Sequence, residues 1–238
     1  MWFFDKHKQI SDTKIFNGIT DFHSHLLPGV DDGVKVIEES LKILSAMEKA
    51  GYKTLWLTPH IMEDYPNETV DLKKKFAFVQ ENYKGPIHLH LAAEYMMDNL
   101  FHKRLEQDDL LTIGYDNNMV LVETSYYNPP MDLYQLLEQI KKQGYYPLLA
   151  HPERYRYMQW KDYVYLKEHQ IRLQLNIPSL TGFYGKEAKE KAEKLLENNF
   201  YDFAGNDIHS FKYFNIIMES KINTKWLPKI PILTDSAN

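Results

Sequence analysis

The chain contains no cysteine among its 238 residues. This absence excludes disulfides, thiolate zinc sites, iron–sulfur clusters and cysteine nucleophiles together, so any metal site must use nitrogen and oxygen ligands. Long apolar runs are also missing, and the apolar start at residues 2–4 is too short for a signal-peptide core, which predicts a cytoplasmic protein. A net charge of -5 gives no support for a function that depends on nucleic-acid phosphates.

The composition, 44% hydrophobic and 26% charged, is typical of one globular domain. Short apolar and β-branched runs alternate with segments of helical period, which indicates β/α units. Seven such units in one domain predict a β/α barrel, with an open parallel sheet as the alternative. The predicted strands are Ile19–His23, Thr54–Thr58, Ile87–Ala93, Met119–Glu123, Pro147–His151, Ile171–Ile177 and Tyr201–Gly205.

Two of the predicted helices have clear sequence signals. The segment EESLKILSAMEKAG has apolar residues at helical spacing, and Gly51 ends it. The segment KEAKEKAEKLLENN is rich in lysine and glutamate and predicts a helix that faces solvent.

Residue types that bind metals follow six of the seven predicted strands. Alone, each is better explained as a capping, loop-anchoring or satisfied polar residue. Together, at the carboxyl ends of strands that share one face of a barrel, they predict more ligands than one ion uses and hence a multinuclear site. In strand order they are His23 and His25 with Asp31 or Asp32, His60, Glu94, Glu123, His151, and Asp207 with His209.

Other polar residues near these strands have two readings. Asp21 shares a face with His23 and either orients it or is a buried acid that stabilises the fold. His88 and His90 lie within a strand and are predicted to be structural.

The arginines are few, and two of the four follow His151 directly in HPERYRY. A guanidinium group binds phosphate oxygens with two parallel hydrogen bonds, so an arginine beside a metal site predicts a phosphoryl substrate. The alternative for Arg154 and Arg156 is a salt bridge within the loop.

The ordered set HSH, TPH, AAE, VET, AHPERY and NDIH resembles the PHP superfamily (polymerase and histidinol phosphatase). The stretches HSHLLPGVDDG and AHPERY are similar to bacterial PHP-type protein-tyrosine phosphatases of capsule and exopolysaccharide operons. This resemblance spans Asp21 to His209 and implies a distorted seven-stranded TIM-like barrel with three divalent ions, manganese by resemblance and iron or zinc as alternatives. The implied ligands are His23, His25, Asp32, His60, Glu94, Glu123, His151, Asp207 and His209.

The resemblance also implies that Arg154 holds the phosphate as the catalytic arginine. The chain departs from the pattern after the last ligand, where relatives have an arginine and this chain has HSFKYFN. Lys212 is the candidate that replaces that charge, although a lysine offers no bidentate fork. Residues 19–238 are predicted to form one PHP catalytic domain. Residues 1–18 are predicted to be an extension whose aromatic start either packs as a tail or docks on a partner or a membrane.

The implied activity is hydrolysis of phosphotyrosine on a protein, plausibly a cognate tyrosine kinase of exopolysaccharide or capsule synthesis, through attack of a metal-bound hydroxide. One alternative is a small-molecule phosphomonoesterase of the histidinol-phosphate phosphatase type. The other is a metal-stabilised binding module without catalysis.

Overall fold

The computed structural model describes residues 6–116 and 118–233. Within them, short strands alternate with helices. The strands are β1 (His7–Gln9), β2 (Thr20–Asp21), β3 (Thr54–Leu57), β4 (His60–Ile61), β5 (His88–Leu91), β6 (Glu94–Met96), β7 (Met119–Glu123), β8 (Tyr146–Ala150), β9 (Arg172–Asn176), β10 (Phe203–Gly205) and β11 (Lys221–Asn223). The α-helices are α1 (Ile10–Thr13), α2 (Ile37–Ala50), α3 (Thr69–Asn82), α4 (Asn99–Glu106), α5 (Leu133–Lys142), α6 (Trp160–Glu168), α7 (Lys186–Glu197) and α8 (Phe211–Glu219). The 3-10 helices are η1 (Pro152–Arg154), η2 (Ile177–Thr181) and η3 (Thr224–Lys229).

The strands form a mixed α/β fold with two parallel sheets. One sheet has six strands in the order β10-β9-β8-β7-β6-β4, and the other has three strands in the order β2-β3-β5. Their central strands are almost entirely buried, as in β7, because helices cover parallel sheets on the outside and apolar side chains fill the space between sheets. A separate antiparallel pair joins β1 to β11.

The predicted closed barrel of seven strands is not confirmed, because the parallel strands are divided between the two sheets. The second and third predicted strands correspond to β3 and β5. Each is followed, after a break of two residues, by a short strand, β4 after β3 and β6 after β5. Pro59 lies at the first interruption and has no backbone N–H to donate to a sheet. The pairing therefore changes partners there: β3 pairs with β5, whereas His60 in β4 pairs with Glu94 in β6.

Backbone contacts also connect the two sheets near the ends of β2 and β10. The N–H of Phe22 donates to the carbonyl oxygen of Ala204 at 3.3 Å, and Ser24 forms an isolated parallel bridge with Ile208. These contacts bring the first and seventh predicted strands side by side, so their carboxyl ends lie at the same edge of the molecule.

The helices with clear sequence signals are present. Helix α2 ends at Gly51, whose φ of 96° lies in the left-handed region that favours glycine. Helix α7 is exposed along its charged face, as predicted, while a narrow apolar stripe packs inward through Ala188, Ala192, Leu195 and Leu196.

Two clusters of buried apolar side chains stabilise this arrangement. The larger packs helices against the outer faces of the strands. The smaller joins side chains from both parallel sheets, among them Phe22, Trp56, Leu121 and Leu148. It lies below the carboxyl ends of these strands and supports the polar residues that follow them.

The described part of the predicted extension is packed. Strand β1 pairs with β11, and Ile10, Ile15 and Phe16 are buried in the larger cluster. Trp2, Phe3 and Phe4, for which docking was an alternative, lie outside the described residues. Over the ranges given above, none of the helices combines the length and apolar content that crossing a membrane requires.

The burial of Ile10 makes a stability prediction. Its side chain is 1% exposed, so Ile10→Ala should lower the free energy of unfolding by about 2–5 kcal/mol through lost burial and a cavity. Ile216→Ala is the matched control because Ile216 is 39% exposed, and it should change stability by less than about 1 kcal/mol. Urea unfolding measures both, and equal effects of the two substitutions would contradict the packing of this segment.

Candidate metal centre

The carboxyl ends of the parallel strands bring all nine predicted ligands into one cluster. Three overlapping groups have ligand atoms within 4.8 Å of one another: His25, Asp32, His60 and His209; His23, His25, Glu94 and Asp207; and His60, Glu94 and Glu123. His151 joins the cluster through Glu94, with its Nε2 2.9 Å from Oε1 of that residue.

Glu94 lies at the centre of this cluster. Its Oε2 lies 3.0 Å from Nε2 of His23 and 3.3 Å from both Nε2 of His25 and Nδ1 of His60. The residue is only 1% exposed. A buried carboxylate is stable only beside cations or strong donors, so this position requires positive charge, supplied by protons on imidazoles or by metal ions.

His23 is oriented by a glutamine that the sequence reasoning missed. The side-chain Nε2 of Gln174 donates to the carbonyl oxygen of Phe22 at 3.1 Å, which turns its Oε1 toward Nδ1 of His23 at 2.7 Å. Nδ1 must therefore carry a proton, and Nε2 faces the cluster. The available signal was a polar residue between two leucines in a buried strand.

His25 has the same arrangement with a different acceptor. Its Nδ1 donates to Oδ2 of Asp31 at 2.8 Å, and that oxygen also accepts the backbone N–H of His60 at 3.0 Å. Asp31 is buried and holds the far side of the ring, whereas Asp32 is exposed and faces the cluster. Asp31 thus orients the ring of His25, whereas Asp32 is left to face the cluster.

The remaining histidines also leave ring nitrogens for a cation. Nδ1 of His209 donates to the backbone carbonyl oxygen of Asp207 at 2.9 Å. Nδ1 of His60 and Nδ1 of His151 are buried, and neither makes a well-aligned hydrogen bond within the described residues, although Nδ1 of His60 lies 3.2 Å from Oε1 of Glu123.

The donor set fits divalent ions. Nε2 of His23 and Nε2 of His25 lie 3.2 Å apart, a distance at which two lone pairs repel unless a proton or a cation lies between them. Histidines that bind metals usually donate their other N–H to a carbonyl or carboxylate group, as His25 and His209 do here. Nitrogen and oxygen donors of this kind suit manganese, iron and zinc.

Strained backbone also marks this end of the sheet. His151 and Asp207 follow β8 and β10 with φ of 36° and 54°, in the left-handed region that non-glycine residues rarely adopt. At Gly205 an added Cβ would lie 2.5 Å from Cβ of His23. Only glycine allows β10 to approach that histidine so closely.

Without a bound cation, the cluster shifts its own pKa values strongly. Burial alone would lower the pKa of His23, but the charges of Glu94 and Asp207 outweigh it and raise that pKa to about 9. Burial would raise the pKa of Glu94, whereas the neighbouring imidazolium of His23 and hydrogen bonds lower it well below its usual range. Glu94 is therefore ionised, and imidazole protons supply compensating charge.

Arg154 lies at the edge of the cluster. Its Nη1 donates to Oδ2 of Asp207 at 2.7 Å, and its guanidinium carbon lies over the rings of Tyr126 and Tyr184 at 4.5 and 4.1 Å. The aromatic rings hold the guanidinium plane beside the cluster. The other predicted phosphate ligand, Lys212, is exposed, and no hydrogen bond or ion pair among the described residues joins it to the cluster.

The residues with two readings are resolved by their contacts. Asp21 does not bond the ring of His23; it accepts the backbone N–H groups of His23 and Asn206, both at 3.1 Å, and holds β10 beside the first strand. His88 and His90 lie on β5, outside the groups that could hold a metal.

An arginine beside imidazoles and carboxylates, at the carboxyl ends of parallel strands, defines an α/β protein with a candidate metal centre for anionic substrates. The chain belongs to the family described as capsular polysaccharide synthesis, CpsB/CapC, which matches residues 19–221. The resemblance noted in the sequence is thereby confirmed.

Individual relatives agree with this assignment. The chain is 28% identical over 203 residues to the tyrosine-protein phosphatase YwqE of Bacillus subtilis (strain 168), covering 82% of this chain and 79% of that protein. It is 27% identical over 211 residues to the tyrosine-protein phosphatase CpsB of Streptococcus pneumoniae, covering 80% and 82%.

A solved structure matches the fold with a TM-score of 0.76 at 25% identity, covering 88% of this chain and 84% of that one. It belongs to the crystal structures of YwqE from Bacillus subtilis and CpsB from Streptococcus pneumoniae, described as unique metal-dependent tyrosine phosphatases.

The raised histidine pKa values predict that metal binding depends on pH. Protons leave His23 only as the pH rises toward its pKa of about 9, so protons compete with cations below that value. Affinity for Mn²⁺ should rise by about tenfold per pH unit for each displaced proton between pH 6 and 9. Calorimetric titration in buffers of different ionisation enthalpy measures the released protons. An affinity independent of pH would contradict this charge distribution.

Proposed function

We propose that this protein is a metal-dependent phosphatase that hydrolyses phosphotyrosine on proteins. The observation that carries the proposal is the cluster at the strand ends, together with the arginine that contacts its edge through Asp207. We propose His23, His25, Asp32, His60, Glu94, Glu123, His151, Asp207 and His209 as ligands of three divalent ions, manganese first.

The bound ions would supply Lewis-acid chemistry, lowering the pKa of water and neutralising phosphate oxygens. Arg154 contributes a fixed positive charge beside them. Burial would lower its pKa, but Asp207 raises it, so the guanidinium stays charged at any working pH. Stacked on Tyr126 and Tyr184, it is oriented before the substrate arrives, and this costs less entropy when the phosphate binds.

A phenolic leaving group reduces the need for a strong general acid. A tyrosine hydroxyl has a pKa of about 10, so the departing phenolate needs less protonation than an alkoxide does.

Further parts of the proposal concern context. We propose that the two parallel sheets correspond to the distorted seven-stranded barrel of the PHP fold, and that residues 19–238 are one catalytic domain. We also propose a tyrosine kinase of capsule or exopolysaccharide synthesis as the substrate. The cytoplasmic location stays a prediction.

The first experiment measures metal content and phosphotyrosyl-peptide hydrolysis, with Mn²⁺ added back after chelation, for the native protein and for His151→Ala. The native protein should bind about three ions per chain. The substitution should reduce the metal content and abolish turnover, because it removes an imidazole beside Glu94 and Glu123. His102→Ala is the control, since His102 pairs with Asp132 on the surface.

The outcomes separate the alternatives. Turnover of histidinol phosphate that exceeds peptide hydrolysis by orders of magnitude would favour a small-molecule phosphomonoesterase. Metal without turnover on either substrate would favour a binding module. A protein that binds no metal would refute the proposal as a whole.

A second prediction concerns phosphate binding. Arg154→Lys keeps the charge but removes the planar fork, and should lower kcat/KM by about 10²-fold on a phosphotyrosyl peptide. Lys212→Ala should lower it by less than about tenfold, since an exposed lysine contributes a screened charge. Steady-state kinetics at two salt concentrations would measure both. An Arg154→Lys protein with native kcat/KM would contradict the role of the arginine.

A further inference from the structure

A cavity of about 270 Å³ lies beside Arg154, and none of the nine residues of the cluster lines it. Tyr126 is shared between the two, because its ring lies 5.9 Å from the ring of His151 and also lines the cavity. The cavity is therefore next to the place where a phosphate would meet Arg154. Its lining includes Tyr126, Tyr127, Arg154, Arg156, Tyr184 and Lys186.

Arg156 is held at this cavity by its backbone and by an aromatic ring. Its N–H donates to the carbonyl oxygen of Tyr126 at 2.8 Å, and its guanidinium carbon lies 4.9 Å from the centre of the Tyr127 ring. Tyr155, between the two arginines, is extended with φ of -77° and ψ of 112°. The Cα atoms of Arg154 and Arg156 are thus about 6–7 Å apart. This is also the Cα spacing of alternate residues in an extended peptide.

The charges around the cavity are unequally compensated. Arg154 pairs with Asp207, Glu187 pairs with Lys191 at 3.0 Å, and Lys186 pairs with Glu190 at 3.6 Å. The carboxylate of Glu153 is buried and accepts from Ser179 and Tyr201. Arg156, in contrast, is exposed and forms no ion pair within residues 6–116 and 118–233. An exposed, stacked guanidinium without a carboxylate partner is suited to an anionic ligand.

We propose that Arg156, Tyr127 and Lys186 form a subsite for a second anionic group on the substrate, one or two residues from the phosphotyrosine. The subsite rests on the proposed phosphatase function and gives it a sequence preference. The anion is a carboxylate side chain or a second phosphotyrosine, which share the chemistry that a guanidinium recognises. The phosphotyrosine itself occupies Arg154 and the metal centre.

The test compares three phosphotyrosyl peptides, with glutamate, glutamine or a second phosphotyrosine at the flanking positions. The native protein should prefer the glutamate peptide over the glutamine peptide by about fivefold in kcat/KM, as expected for one partly exposed charge pair. Arg156→Gln should bring this ratio near one, and Arg156→Lys should give an intermediate ratio. The kcat/KM of the third peptide shows whether recognition of a phosphate or of a carboxylate depends more on Arg156.

Arg172→Gln is the matched control. Arg172 also stacks on a tyrosine, with its guanidinium carbon 4.7 Å from the Tyr146 ring, but it lies at the opposite end of β9 from the metal centre. The Arg172→Gln protein should keep the native ratio of kcat/KM between the glutamate and glutamine peptides. A native ratio in Arg156→Gln, or an equal loss in both variants, would overturn the subsite.

Binding measurements separate this inference from the proposed function. Fluorescence anisotropy with non-hydrolysable phosphonate versions of the same peptides reports the subsite even if no peptide is cleaved. Failure of the native protein to cleave the glutamine peptide would count against the phosphatase proposal. Anionic flanks that improve binding only when Arg156 is present support the subsite, and flanks that have no effect on binding refute it.

Discussion

The buried carboxylate of Glu94 is the group on which the rest of the centre depends. An ionised carboxylate in the interior is stable only if positive groups surround it, and here imidazoles from three other strand ends do so. Its place follows from the interruption of the sheet near Pro59, because the short strands β4 and β6 then pair in register with His60 opposite Glu94. The irregular part of the fold is therefore the part that assembles the site.

A second layer of polar residues determines which nitrogen each histidine presents. Gln174, Asp31 and the carbonyl oxygen of Asp207 each accept from Nδ1 of one imidazole, and each comes from a different part of the chain. These contacts leave Nε2 of His23, His25 and His209 facing the cluster. The polar side chains buried in this region consequently have a positional role, and their burial is compensated by the hydrogen bonds that they make.

The order of the ligands along the chain could be predicted because parallel strands place their carboxyl ends on one face, and the residue after each strand could be read directly. The orienting residues were harder to recognise. Gln174 lies in β9, whose sequence RLQLN alternates polar and apolar residues as in a strand with one solvent-facing side, whereas the structure buries that polar residue. The neighbours Asp31 and Asp32 differ only in burial, which depends on the fold of the loop. For Arg154 and Arg156, the sequence left a salt bridge within the loop as the alternative, whereas the structure pairs Arg154 with Asp207, which follows another strand.

Asp207 connects the imidazoles of the cluster to Arg154 through its two carboxylate oxygens. Oδ1 lies 3.3 Å from Nε2 of His23 and 3.2 Å from Nε2 of His25, whereas Oδ2 accepts from Arg154 at 2.7 Å. One rigid group thus sets the distance between the imidazoles and the guanidinium. Its left-handed backbone would be costly without a compensating role, and the contacts on both sides hold it in place. Because Tyr126 and Tyr184 also shield Arg154 from water, the arginine acts in a medium where its charge is less screened than on the surface. The position of the guanidinium relative to the cluster is therefore determined by Asp207 and these two rings together.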